Sequence, residues 1–423
     1  MQYIKGVSVI AALSLMAGGA LAVTKTFNGS VSGDWGTAAN WTPSGVPTSA
    51  DDVIIDAGGV AISVTTDAAA RSLVLRRALT LSGQNRMRIF GGGMELQGGT
   101  FTIAGGSFGP FGIIFVGGSQ QISSSTGNGL IRFVPGQNSI SATDCALTIG
   151  PGVTIRSAGA TGAISIDPSS TLQVLGTIEA ASGNITIDGT LLNYNGTQNS
   201  LTGGTWLLRG SNINLPAGAS VLNIGASTTI SFGGGALNGI GNVSANLGTL
   251  EFVNGQDRTF APSGNPGVGT FQNGGTIKLD SGSILTITGN FRTLPNSVID
   301  LTMTGSDVNV QQSRILINGE AQLNNVGRLR VRYNGFLPPD CGTIFQVLTH
   351  TSRVAGFGVY ESVPAEATAN LLFGEVTNTR VQVTGACESE NTCDDIDFNN
   401  NGVFPEDQDV IDFFTVLAGG TCQ

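Results

Sequence analysis

The fold is decided by a stretch that runs from Thr171-Leu-Gln-Val-Leu175 through Gly183-Asn-Ile-Thr-Ile-Asp188 to Ile284-Leu-Thr-Ile-Thr288. The segments between these are Thr190-Leu-Leu-Asn-Tyr194, Thr205-Trp-Leu-Leu208, Thr249-Leu-Glu-Phe-Val253 and Thr276-Ile-Lys-Leu279. Each is short, rich in Val, Ile, Leu and Thr, and bounded by Gly, Asn or Ser, which is the pattern of a β-strand. The spacing leaves no room for helices, so the sequence predicts an all-β fold.

The segments are linked by a loose internal repeat in which Gly-Thr precedes an apolar alternation. It occurs at Gly176-Thr177, Gly189-Thr190, Gly204-Thr205, Gly248-Thr249 and Gly275-Thr276. A period of roughly 20 to 25 residues suits a three-sided coil. We therefore predict a right-handed parallel β-helix of about 13 coils, with a rise of about 4.8 Å per coil. An antiparallel sandwich or barrel is the alternative, and it would need more two-residue hairpin loops than the chain offers.

Composition agrees with this prediction and narrows the function. The chain has 423 residues, of which 63 are Gly and only 11% are charged, and this argues against a helix-rich protein. A net charge of -10 argues against nucleic-acid binding. The start reads as a signal peptide over residues 1–22, with Lys5, an apolar run and Ala20-Leu21-Ala22. Beyond it, no run of about 18 apolar residues predicts a membrane span.

The ends of the predicted β-helix differ from its repeats. Near the start lie Gly33-Asp-Trp-Gly-Thr-Ala-Ala-Asn-Trp41, Gly45-Val-Pro47 and Asp51-Asp-Val-Ile-Ile-Asp56, and near the other end lies Leu337-Pro-Pro-Asp-Cys-Gly-Thr-Ile-Phe-Gln-Val-Leu-Thr349. Both ends resemble those of bacterial secreted β-helix proteins of the autotransporter-passenger kind. The resemblance implies that Trp35 and Trp41 pack in a cap. Together with the repeats, these ends predict a β-helix over residues 23–335, including the N-terminal cap, and a closing β segment over residues 336–386.

Residues 387–423 differ from the rest of the chain in composition, because they contain nine acidic residues and no Lys or Arg. Within them, Asp397-Phe-Asn399-Asn-Asn401-Gly402-Val403 places oxygen ligands at positions 1, 3 and 5 of a calcium loop and Gly at position 6. The Val403 carbonyl would be the ligand at position 7. Gln408 occupies position 12, so the next carboxylate, Asp409, comes one residue late. The sequence predicts a Ca²⁺ site here, and a metal-free Asx-rich turn is the alternative.

Val410, Phe413, Phe414 and Leu417 follow this loop at helical spacing, and Gly419-Gly420 suits a helix end. The loop and helix resemble one repeat of the dockerin family, whose members carry two repeats and attach enzymes to scaffold proteins. With one repeat, cohesin binding does not carry over, but a module for attachment or sorting does. Cys393 and Cys422 bracket the module and are the first disulfide candidates, with Cys387 as the competitor for Cys393. The sequence leaves the pairing of Cys145 and Cys341 open.

Catalytic motifs are weak. His350 is the only histidine, so a site with several imidazoles is excluded, and we expect a surface or cap residue. Gly105-Gly-Ser107-Phe-Gly109 matches a nucleophile elbow without the strand-to-helix turn that an elbow needs. Asp280 and Asp300 lie one coil apart after similar strands, so stacking could bring them within about 5 Å and create an acid–base pair.

These observations favour an exported, non-enzymatic surface or extracellular β-helix with a structural or adhesive role. Its C-terminal module would bind a component of the cell envelope or the extracellular matrix. The alternative is a β-helix polysaccharide lyase or hydrolase that uses Asp280 and Asp300. A glycan-binding module would need exposed aromatic side chains, and only 6% of the residues are aromatic. The sequence does not fix the oligomeric state.

Overall fold

The computed structural model describes residues 22–29, 32–56, 62–105, 111–264, 267–304, 312–333, 344–363, 371–373 and 380–385, together with residues 410, 411, 414, 417 and 418. In this part of the chain nearly all regular structure is β, as predicted. The helical residues are a short 3₁₀ turn, Ala38–Asn40, and the positions Val410, Ile411, Phe414 and Leu417.

A sheet of thirteen parallel strands, here called face 1, runs the length of the coils. Its strands, in spatial and chain order, are Ile62–Val64, Leu79–Gly83, Thr100–Gly105, Gly129–Phe133, Val153–Ala158, Thr177–Ser182, Thr205–Leu208, Thr229–Phe232, Thr249–Phe252, Thr276–Leu279, Val298–Met303, Arg328–Tyr333 and Val359–Val363. Each strand is hydrogen-bonded to the strand of the next coil, so every coil contributes one rung to face 1. At about 4.8 Å per rung, thirteen rungs extend about 60 Å.

The other sides of the coils come from three further sheets. The 14-stranded sheet contains Thr24–Phe27, Trp41–Thr42, Asp52–Ile55, Ala68–Ala70, Ser72–Leu75, Arg86–Phe90, Met94–Leu96, Phe111–Ser123, Asn138–Ile149, Gly162–Ile166, Thr171–Val174, Ile185–Asp188, Ile213–Asn214 and Leu237–Asn238. The 8-stranded sheet contains Tyr194–Asn195, Ser200–Leu201, Val221–Ile224, Ile240–Asn246, Thr270–Asn273, Asn290–Thr293, Glu320–Gln322 and Ser352–Val354. The 6-stranded sheet contains Arg258–Phe260, Ile284–Ile287, Arg314–Ile317, Ile344–Thr349, Leu371–Phe373 and Arg380–Gly385, and a two-stranded ribbon pairs Ser263–Gly264 with Gly267–Val268.

This arrangement is a three-sided parallel β-helix, because the chain leaves face 1, crosses two other sides and returns to the next rung. The prediction of stacked coils over a sandwich or barrel is confirmed. The predicted range of coil lengths, roughly 20 to 25 residues, was too narrow. Ile62 stacks on Leu79 but Arg328 stacks on Val359, so coils are as short as 17 residues and as long as 31.

The Gly-Thr repeats mark the corner that leads into face 1. Thr177, Thr205, Thr249 and Thr276 each begin a strand of face 1. The glycine before them fits against the preceding coil: at Gly275, a Cβ would lie well inside 3.0 Å of the Gly248 carbonyl oxygen. The fifth repeat, Gly189-Thr190, does not enter face 1.

The interior is filled by the alternate side chains of every strand. Because the coils are in register, side chains of the same type stack on one another in neighbouring coils. Phe232 and Phe252 lie with ring centroids 5.3 Å apart, and Phe271 and Phe291 lie 6.0 Å apart, in both cases nearly parallel. Offset rings at such separations attract one another beyond the burial of their area. The apolar residues at alternate positions thus produce one continuous core along the coils.

The first coil is covered by the predicted tryptophan cluster. Trp35 and Trp41 are buried and meet edge to face at a centroid distance of 4.8 Å, and Phe27 packs on Trp41 at 5.1 Å. The Trp41 Nε1 donates a hydrogen bond to the Trp35 carbonyl oxygen at 2.8 Å. Asp34 forms a β-bridge to Ser63, so the first strand of face 1 also has a backbone partner at the edge that faces away from the second strand. The prediction that both tryptophans are packing residues is confirmed.

Within the predicted closing segment, parallel stacking continues through Ile344–Thr349, Ser352–Val354 and Val359–Val363. The 6-stranded sheet then changes direction, because Arg380–Gly385 pairs antiparallel with Ile344–Thr349 and with Leu371–Phe373. Farther along, the helix predicted after the calcium loop is helical at Val410, Ile411, Phe414 and Leu417. The Ala418 amide donates to the Phe414 carbonyl oxygen at 3.0 Å.

Candidate functional site

The outer surface of face 1 carries a row of charged side chains in successive coils. Five of these side chains are direct register partners, each one rung beyond the last: Glu251, Lys278, Asp300, Arg330 and Glu361. Their charges alternate along the row. Because neighbouring rungs lie about 4.8 Å apart, the stacking itself brings each charge next to its opposite. We call these five residues, together with Arg328 and Arg332, the charge ladder.

The distances show that the ladder is paired. The Lys278 ammonium lies 3.4 Å from a Glu251 carboxylate oxygen. The Arg332 Nε and Nη2 donate to the two oxygens of Asp300 at 2.7 and 2.8 Å, which is a bidentate contact. The Arg330 Nη1 lies 3.5 Å from an Asp300 carboxylate oxygen and its Nη2 lies 3.3 Å from a Glu361 carboxylate oxygen, so Arg330 bridges two rungs.

Asp300 is the centre of this arrangement, because its side chain is only 6% exposed although it lies on the outer face. The hydrogen bonds from Arg332 compensate for that loss of water. They also raise the pKa of the Arg332 guanidinium, against the opposing effect of burial. Arg does not release its proton in proteins, so this pairing supplies no proton donor to a substrate. The geometry stabilises the stacked coils, and it does not resemble an acid–base pair.

The predicted pairing of Asp280 with Asp300 is wrong. Asp300 stacks on Lys278, and Asp280 follows the strand, two residues beyond that rung. Asp280 and Asp300 look equivalent when the two strand segments are aligned by their ends. In the structure the two strands are aligned by their first residues, with Thr276 stacking on Val298. A shift of two residues keeps both side chains on the same face but separates them along the strand. The direct stacking on which the predicted acid–base pair was based is therefore not formed.

Most of the other candidate residues lie outside the described residues. These are the predicted Ca²⁺ ligands, the disulfide candidates, the remaining cysteines of the tail and closing segment, and the elbow serine: Asp397, Asn399, Asn401, Val403, Asp409, Cys393, Cys422, Cys387, Cys341 and Ser107. Their predicted roles stay predictions.

Two candidates are described and both are interior. Cys145 is a free cysteine with a buried thiol, and burial raises the pKa of that thiol. A thiol with a raised pKa is a poor nucleophile, so Cys145 acts as a packing residue. His350 is buried directly after the strand Ile344–Thr349, so of the two expected positions, surface or cap, the surface position is wrong.

Comparisons with other proteins give no further guide to the site. No protein-family model matches the chain, and neither a curated protein nor a solved structure matches it. Among the described residues, no group of three or more His, Cys, Asp or Glu side chains is arranged to hold a metal ion. No helix in the same part of the chain is long and apolar enough to cross a membrane.

The charge ladder was missed by the sequence analysis, although a signal for it exists. In Thr249-Leu-Glu, Thr276-Ile-Lys, Val298-Ile-Asp and Arg328-Leu-Arg, the third residue is charged and the sign alternates from one segment to the next. Alignment of the strand starts would have exposed this pattern.

Proposed function

We propose that the protein is an exported, non-enzymatic β-helix with a structural or adhesive role at the cell surface. The observation that carries the proposal is the charge ladder, in which Asp300, Arg330 and Glu361 satisfy one another instead of facing a substrate. Breaking a buried ion pair leaves an uncompensated charge, so these groups serve the cohesion of the coils. A regular outer surface with neutralised charges suits repeated contact with a large partner.

The rest of face 1 supports the same role. Six threonines of successive coils stack in one half-buried row on its outer surface: Thr154, Thr177, Thr205, Thr229, Thr249 and Thr276. The three Trp residues, Trp35, Trp41 and Trp206, are all in the interior. The coils therefore do not offer the tryptophan platforms on which sugar rings stack, and a row of hydroxyl groups is offered instead.

The acidic residues 387–423 supply the attachment in this proposal. Ca²⁺ bound by Asp397, Asn399, Asn401, the Val403 carbonyl and Asp409 would order the loop ahead of the helix. The partner is then a component of the cell envelope or the extracellular matrix. The signal peptide over residues 1–22 would deliver the chain to that compartment.

Removal of residues 387–423 is expected to release the protein from the cell surface. We expect the full chain to sediment with producing bacterial cells and the truncated chain to appear in the medium. Immunoblots of both fractions measure the ratio, and surface protease treatment shows which molecules were outside. The charge-reversal variant Arg132→Glu, at an exposed face-1 residue outside residues 387–423, serves as a control that stays with the cells. Equal retention of the truncated chain contradicts the attachment role.

Calcium titration of the purified mature protein is expected to show one site with a micromolar dissociation constant, in the range of sensor-type loops. Asp397→Ala removes a ligand and is expected to abolish the heat. Asp407→Ala is the matched control, since it removes a nearby acid outside the predicted ligand set and leaves the site intact. The absence of heat in the unmodified protein would assign the loop as a polar turn.

A further inference from the structure

The corner that leads into face 1 changes in the last three coils. Four of the earlier corners read Gly-Thr. The last three strands of face 1 begin instead at Val298, Arg328 and Val359, which are direct register partners. These residues and the turns before them line a groove of about 500 Å³. The groove is built by three stacked coils, so it extends about 10 Å along the axis.

The lining of the groove is partly apolar and partly polar. Val298, Val326 and Val359 are apolar, and Val359 is 46% exposed. Asn296 and Asn325 line the same groove with side-chain amides. The Asn325 Oδ1 accepts a backbone N–H of the next coil at 3.1 Å, so its NH₂ group remains a donor. A sugar ring presents C–H groups on its faces and hydroxyl groups at its edge, and this mixed lining complements both.

The charge ladder ends at this groove with one cation in excess. Arg332 takes both oxygens of Asp300. The Glu361 carboxylate is shared by guanidinium nitrogens of Arg328, at 3.1 Å, and Arg330, at 3.3 Å. Arg330 also reaches Asp300, so Arg328 is the cation with the least compensation, and its side chain is 44% exposed. A guanidinium has five N–H donors, so donors remain for a carboxylate of a ligand. The ladder's four cations are Lys278, Arg328, Arg330 and Arg332, and its three carboxylates are Glu251, Asp300 and Glu361.

The main chain around the groove is already paired. The N–H groups of Val298, Arg328 and Val359 donate to carbonyl oxygens of the preceding coil at 2.9, 2.8 and 3.1 Å. An extended peptide that adds to a sheet is recognised through free main-chain groups of an edge strand, and these three are occupied. The groove therefore offers side-chain groups to a ligand, which favours a sugar polymer over an extended peptide.

We propose that the groove binds a segment of an acidic polysaccharide and that Arg328 holds one of its carboxylates. A guanidinium matches a carboxylate with two parallel N–H···O bonds, the valines contact the C–H faces of the rings, and the asparagine amides meet hydroxyl groups. The ion pair takes the place of an aromatic platform, since the three Trp residues are buried. The inference rests on the proposed adhesive role, for which it names the partner class, and it does not depend on residues 387–423.

Calorimetric titration of the purified full mature chain with short oligogalacturonates tests the proposal. We expect saturable binding whose dissociation constant rises with salt, because an exposed ion pair is screened. The methyl-esterified oligomers are the matched ligand control, since they keep the ring skeleton and lose the carboxylate charge. They should bind at least tenfold more weakly, because hydrogen bonds to charged groups are the stronger ones.

Arg328→Gln should raise the dissociation constant for the oligogalacturonate by about tenfold or more, for the same reason. Arg132→Gln is the matched protein control, because Arg132 is an exposed arginine of face 1 that does not line the groove. It should leave the constant unchanged. Circular dichroism and thermal unfolding verify that both variants keep the fold.

A pair of substitutions at Val359 separates charge from packing. Val359 stacks directly on Arg328 and is exposed, so Val359→Lys and Val359→Asp remove the same apolar contact while adding opposite charges. We expect Val359→Lys to bind the oligogalacturonate more tightly than Val359→Asp by about tenfold or more. Equal affinities of the two variants contradict a site that recognises carboxylates.

Two further results overturn the proposal. One is the absence of oligogalacturonate binding to the unmodified protein. The other is equally tight binding of polyglutamate with the same dependence on Arg328, which would assign the groove to acidic peptides. Cell fractionation distinguishes either failure from a failure of the attachment role, because Arg328→Gln leaves residues 387–423 intact and should still sediment with the cells.

Discussion

Asp300→Ala should lower the free energy of unfolding by about 3 kcal/mol, the range found when one partner of a buried ion pair is removed. The side chain is 6% exposed and accepts two hydrogen bonds from Arg332. Its removal leaves Arg330 and Arg332 on one strand without the carboxylate that separates their charges. Equilibrium unfolding in urea, followed by circular dichroism, measures the loss.

Asp280→Ala is the matched control, because Asp280 lies in the same coil pair but outside the charge ladder. We expect its effect to stay within about 0.5 kcal/mol, as for ordinary surface substitutions. The double variant Asp300→Ala/Arg332→Ala should lose less than the sum of its single variants, since the two side chains share one contact. Equal losses for Asp280→Ala and Asp300→Ala would show that the ladder does not hold the coils together.

The fold followed from the sequence because two local rules recur along the coils. Strand segments alternate apolar and polar residues, and in four coils Gly-Thr leads into face 1, so seven short segments were enough to predict stacked coils. Thr249 and Thr276 begin their strands as predicted. The length of the coils did not follow, since it varies from 17 to 31 residues without a matching change in the strand pattern.

The candidate site followed less well, because it depends on register between coils. Asp280 and Asp300 look equivalent when the segments are aligned by their ends, yet Asp300 stacks on Lys278. The inward and outward alternation does not distinguish the two alignments, since a two-residue shift preserves it.

Gly275→Ala should destabilise the protein by about 2–3 kcal/mol, the range expected when a close-packed site receives an extra carbon atom. A Cβ at Gly275 would lie inside 3.0 Å of the Gly248 carbonyl oxygen and the Leu247 backbone. These are main-chain atoms of the preceding coil, so they cannot turn aside as a side chain would. The two coils must move apart, and the hydrogen bond from the Thr276 amide to Gly248, now 2.8 Å, must lengthen.

Gly241→Ala provides the control that separates this clash from the general effect of replacing glycine. Gly241 lies in the strand Ile240–Asn246, and a Cβ there would meet no atom within 4 Å. Replacing glycine where alanine fits reduces the entropy of the unfolded chain and can stabilise by about 0.4–1 kcal/mol. The two variants should therefore shift the urea midpoint in opposite directions. If Gly275→Ala instead behaves like Gly241→Ala, the coils are not stacked as closely at this corner as face 1 requires.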